Sequence, residues 1–229
     1  MHYRIFGTPM PAVTLTLDRG EEIYTQSGGM TWMSEGFSME TNMKGGLLGG
    51  IGRMFAGESL FLATYAAQHD NAEITMASSF PGEIRMLEIG GGKEYIAQKN
   101  AFLCATKNVS VSAYVTGVKA GFFGGEGFIL QKYSGQGLAF LELDGRTIVE
   151  RKLAPGEVIK VNTGNVAAFE TSVEYSSEMV KGFANVLFGG EGLFLTTLKG
   201  PGKVWLQTMS AAGLAQRIIP YIPTGRSSN

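Results

Sequence analysis

Residues Leu187–Leu195 read LFGGEGLFL, residues Phe122–Leu130 read FFGGEGFIL, and residues Met54–Leu62 read MFAGESLFL. The three stretches align on an acid, Glu58, Glu126 and Glu191, spaced 68 and 65 residues apart in a chain of 229. Three units of that length nearly fill the chain, so self-similarity organises the fold. Downstream, YSGQGLAFLEL (Tyr133–Leu143) matches LKGPGKVWLQT (Leu198–Thr208), each read as a turn followed by an alternating strand, and together as β-hairpins. The first copy carries AAQHDNAEITM there, with Asp70-Asn71 as turn chemistry. Upstream, GEEIYTQSGGMTWM (Gly20–Met33), GKEYIAQKNAFLCA (Gly92–Ala105) and GEVIKVNTGNVAAF (Gly156–Phe169) each give a glycine, an acid, a strand, a polar turn and a second strand.

The units so predicted cover about 3–80, 81–147 and 148–208, followed by a helix and tail over 209–229. A lone β unit of this size buries too little surface to be very stable, so one fused all-β body over 1–229 is expected. A pseudo-threefold arrangement is the economical one, although a linear stack repeats in sequence equally well. Ser210 is placed to cap the helix, which runs to Ile219 with Ala211, Leu214, Ala215 and Ile218 near one face and stops at Pro220.

Composition agrees. Glycine contributes 33 residues, roughly twice the usual share of ~7%, without a collagen period. Nineteen basic against twenty acidic residues leave a net charge of −1, so no bulk positive field exists to hold a nucleic acid or an anionic membrane. A single cysteine, Cys104, permits no internal disulfide, and with His2 and His69 the only histidines a zinc site is poorly supplied. The first twenty residues lack a basic region followed by an apolar core, so neither export nor organelle import is expected. A cytoplasmic location fits, with peripheral membrane contact as the variant.

The repeated Glu58, Glu126 and Glu191 are the most suggestive polar positions. Were they to converge, three carboxylates would have to share protons or bind a cation. The plainer reading, which we favour, has each accept backbone N–H groups at its own glycine turn. GGGKE (Gly90–Glu94) lacks phosphate-loop spacing and reads as a turn, as does GPGK (Gly200–Lys203). His69-Asp70 has no nucleophile context, Cys104 reads as a buried hydrophobe, and Trp32 and Trp205 read as core residues. The segment Lys44–Gly57 carries apolar side chains on a glycine-rich backbone. Leu47, Leu48, Ile51, Met54 and Phe55, with Leu214 and Ile218 of the terminal helix, form the candidate interaction surface.

The blocks FFGGEGFIL, LFGGEGLFLTTLKGPGKVWLQT, APGEVIKVNTGNVAAFE and SSFPGEI resemble those of the altered-inheritance-of-mitochondria, or mitochondrial biogenesis, family, as a prokaryotic member, from about Tyr3 to Tyr221. The first copy, AGES, departs in its glycines. The resemblance implies tandem units like the trp RNA-binding attenuation protein, β-sandwiches of the double-stranded β-helix type. It carries no catalytic residues and no cofactor, and kinship to an RNA-binding fold is analogy alone. The function expected is a non-catalytic, self-associating scaffold or interaction protein that forms homo-oligomers, with an unidentified protein or a membrane surface as partner. The alternative is a small-ligand or RNA-binding module using clefts between β units, with nucleic acid disfavoured by the charge.

Overall fold

Along Ala12–Leu17 the sequence AVTLTL buries Ala12, Val13, Leu15 and Leu17 and leaves the two threonines half-covered. That period-two pattern of apolar and β-branched residues is what a half-buried strand requires. Similar patterns build nineteen strands in the computed structural model, which describes residues 1–26, 28–42, 62–114, 130–145, 148–179 and 194–222.

After a leading strand β1 (His2–Phe6), the strands fall into three sets of six. The first is β2 (Ala12–Leu17), β3 (Glu22–Gln26), β4 (Met30–Met33), β5 (Phe37–Asn42), β6 (Leu62–Ala67) and β7 (Ala72–Ala77). The second is β8 (Gly82–Ile89), β9 (Tyr95–Gln98), β10 (Phe102–Thr106), β11 (Val109–Tyr114), β12 (Leu130–Gly135) and β13 (Gly137–Asp144). The third is β14 (Ile148–Leu153), β15 (Val158–Asn162), β16 (Val166–Glu170), β17 (Glu174–Met179), β18 (Phe194–Lys199) and β19 (Gly202–Gln207). A helix, α1 (Ala211–Ile218), and a 3-10 turn over Ile219–Tyr221 follow.

Pairing within each set is the same. The sixth strand lies between the first and third, giving β2-β7-β4, β8-β13-β10 and β14-β19-β16. The fifth lies between the second and fourth, giving β3-β6-β5, β9-β12-β11 and β15-β18-β17. Every pairing is antiparallel. The third strand carries a register shift in each set, between Met30 and Trp32, Phe102 and Cys104, and Val166 and Ala168. A bulge bends a strand locally, so the three are bent at one corresponding place.

Sheets are shared between sets. β3 pairs with β10 and β9 with β16, so each joint fuses two three-stranded halves into a six-stranded sheet. The sets are thereby joined in series, and among the described residues no strand of the third pairs with the first. Both faces of the shared sheets are covered. Phe140 and Cys104 of the second set pack with Val13, Leu15, Ile74 and Met76 of the first, while Ala168 and Trp205 of the third pack with Tyr133 and Leu141 of the second. Tyr3 meets Phe140 edge-on at 5.2 Å, and Tyr95 meets Trp205 likewise at 5.7 Å.

Two expectations are corrected. The turns at YSGQG and KGPGK do not close hairpins. β12 and β13 lie in different sheets, as do β18 and β19, and the Asp70-Asn71 turn likewise carries the chain from β6 to β7 of the other sheet. A glycine turn between alternating strands fits a sheet-to-sheet crossing as well as a hairpin, and local pattern does not separate them. The adjacent pairs are β5 with β6, β11 with β12 and β17 with β18, which flank the three repeated glycine motifs. Trp205 is buried as expected, but Trp32 is 52% exposed. Its corresponding residues, Cys104 and Ala168, are covered by the preceding set, which joins their strands through β3 and β9 and packs over them. Among the described residues β4 has no such neighbour.

Candidate functional site

Of the residues singled out from the sequence, Glu58, Glu126, Glu191, Leu47, Leu48, Ile51, Met54 and Phe55 lie outside the described residues. The strand ends that lead into those segments are placed: Asn42 is opposite Leu62, Tyr114 opposite Leu130, and Met179 opposite Phe194. Leu214 and Ile218 sit on α1. Ser210 Oγ accepts the Gly213 N–H at 3.1 Å, as its capping role predicts, and Asp144 Oδ2 accepts the Ala211 N–H at 2.8 Å. Burial pushes the Asp144 carboxyl up, partly offset by that hydrogen bond. No residue of α1 is buried; Leu214 is half-covered, and Ile218, Ile219, Tyr221 and Ile222 face solvent.

The reactive candidates are occupied structurally. His69 Nδ1 lies 3.0 Å from the Asp70 carbonyl oxygen and Nε2 3.1 Å from that of Glu35, so the ring bridges two turns. Cys104 is fully buried, and desolvation pushes its thiol far above the ordinary range, which keeps it protonated and unreactive. GGGKE is a turn, closed by Gly90 and Lys93 exchanging backbone hydrogen bonds at 3.1 and 3.0 Å. Among the described residues no three His, Cys, Asp or Glu side chains come together to hold a metal ion.

Sequence reasoning missed the polar residues that seal the joints. Glu142 Oε2 accepts the Ser79 N–H at 2.7 Å and lies 3.0 Å from the hydroxyl oxygens of Ser78 and Ser79, fixing the link between the first and second sets. Gln207, at the corresponding place in the third set, accepts Gln98 Nε2–H at 2.8 Å and the Asp144 N–H at 3.1 Å and donates to the Gly164 carbonyl. Each shares a strand face with an aromatic residue two positions earlier, Phe140 or Trp205. A polar residue in an otherwise apolar phase was the available signal. Near the second joint, Glu150 takes hydrogen bonds from Lys203 and the Trp205 indole, which hold its carboxyl below the usual range despite some desolvation.

Large apolar side chains stand open to solvent at both ends of the series, and also on β1, β5 and β14. Trp32 and Met33 are exposed on β4 at one end, and Val158 is 51% exposed on β15 at the other. A family model described as Mitochondrial biogenesis AIM24 matches residues 3–209. The chain belongs to this family. A relative is found in Streptococcus pyogenes serotype M6, an uncharacterized protein 27% identical over 226 residues, which are 96% of this chain and 89% of that one. The chain is also similar in structure to a Streptococcus pyogenes protein solved by X-ray crystallography, with a TM-score of 0.77 and 25% identity over 96% of this chain and 99% of the other. Among the described residues no helix is long and apolar enough to cross a membrane.

Proposed function

We propose that this protein is a non-catalytic scaffold or interaction module that associates with further copies of itself. Supporting the reading, buried polar groups such as Glu142, Gln207 and Thr25 are engaged in holding strands and links together. The single observation that carries it is that large apolar side chains stand exposed on the edge strand β4 and along α1 and the turn after it. Exposed apolar groups gathered on edge elements are what docking surfaces require. We place its action in the cytoplasm, with a membrane surface or a second protein as the further partner, and invoke no cofactor. Light scattering of the purified chain tests the core of this reading. A solution mass at a multiple of the monomer is expected; a monomer at every concentration overturns it.

A further inference from the structure

The joints between sets follow one rule: the second strand of a set pairs antiparallel with the third strand of the next. Thr25, Tyr24 and Ile23 stand opposite Cys104, Ala105 and Thr106 at the first joint, and Ala97, Ile96 and Tyr95 stand opposite Ala168, Phe169 and Glu170 at the second. Applied once more, the rule leaves one unfilled strand position at each end. Among the described residues β15, the second strand of the last set, pairs with β18 alone, and β4, the third strand of the first set, pairs with β7 alone. β4 nevertheless carries the same register shift as β10 and β16. Its backbone is bent as theirs are where they receive a neighbour.

We propose that β15 of one copy pairs with β4 of a second copy in the register of the internal joints, with Val161 opposite Trp32, Lys160 opposite Met33 and Ile159 opposite Ser34. This rests on the self-association reading and names its surface. The occupant is a second copy because the molecule contains both halves of the joint and has made it twice already. Trp32 would be covered as Cys104 and Ala168 are, at 0% and 1% exposure. Where Tyr24 reaches across the first joint to donate to the Val109 carbonyl, Lys160 stands at the open end. In register Phe37 corresponds to Val109, each opposite the corresponding residue of its neighbouring strand, Ala67 or Gly135. The Lys160 stem can therefore lie across Met33 and offer its ammonium to the Phe37 carbonyl. In the single chain that ammonium is spent on an exposed ion pair with Glu178 at 3.1 Å, which is cheap to exchange. A charge on the strand also discourages pairing with unrelated edges. Because the two edges differ, the contact is head-to-tail and generates either a ring or a filament.

Disulfide trapping tests it. The pairs Met33→Cys with Lys160→Cys, and Trp32→Cys with Val161→Cys, sample both neighbouring positions of the register, and Cys104 is too buried to interfere. After mild oxidation at least one double variant should give a ladder of covalent multimers under denaturing, non-reducing conditions, while each single variant stays monomeric. Trp32→Glu should shift the solution mass to the monomer with an unchanged circular dichroism spectrum. A disulfide formed within one chain overturns the proposal, because the two ends would then meet each other. Multimers in solution that neither double variant traps, and that Trp32→Glu leaves intact, overturn this joint but spare self-association. A monomeric native chain overturns both.

Discussion

Glu142 is 8% exposed, accepts the N–H of the exposed Ser79 and lies beside the buried Ser78 hydroxyl, so its hydrogen bonds are partly shielded from water. Removing the acceptor deletes the hydrogen bonds it makes to the two serines, each with a net worth of about 0.5–1.5 kcal/mol. Glu142→Leu keeps the bulk of the site and deletes the acceptor, so it should lower the unfolding free energy by about that amount in urea titrations. Glu88→Leu, on a solvent-facing position of the neighbouring strand, should change it by less than about 0.5 kcal/mol. Equal losses at the two sites would remove Glu142 from its role at the joint.

At the scale of elements, the glycine turns do what the sequence marked them for, but between different strands. Gly135 ends β12 at φ +99°, and a Cβ there would come within 2.3 Å of the Asn108 carbonyl oxygen. Both the left-handed backbone and the close approach exclude a larger residue. Gly135→Ala should therefore destabilise by about 1–3 kcal/mol through overpacking and strain, read as a lower midpoint with an unchanged denaturant slope. Strand positions were legible because runs such as VIKVN (Val158–Asn162) alternate in character from residue to residue, and the α1 start was legible because Ser210 caps it. Pairing was not, since YSGQG looks the same whether the next strand returns beside its predecessor or crosses to the facing sheet. The exposure of Trp32 was hidden for a related reason. A tryptophan in an alternating strand is core or surface according to whether another set packs over it, and that is decided by residues distant in sequence, as the first set decides for Cys104.

For the whole molecule, the shared sheets have an energetic consequence. Val13 and Ile74 of the first set are buried partly against Phe140 and Cys104 of the second, and Leu130 and Ile96 of the second are buried with Phe169 and Val204 of the third. Unfolding one terminal set would open an unpaired edge on a central sheet and bare an apolar face of its neighbour, so partly unfolded forms lose stabilisation on both counts. A single cooperative transition is expected, in contrast to repeat arrays whose units touch across weak interfaces. Two native reporters sit at different joints: the Trp205 indole at the second, and the Cys104 thiol at the first. Trp205 fluorescence, read with Trp32 replaced by Phe, should lose its native signal at the same urea concentration at which Cys104 becomes open to alkylation and the strand signal in circular dichroism collapses. Exposure of Cys104 well before the loss of Trp205 fluorescence would mean that the first set comes apart by itself, and that sharing β10 with β3 does not bind the sets into one folding unit.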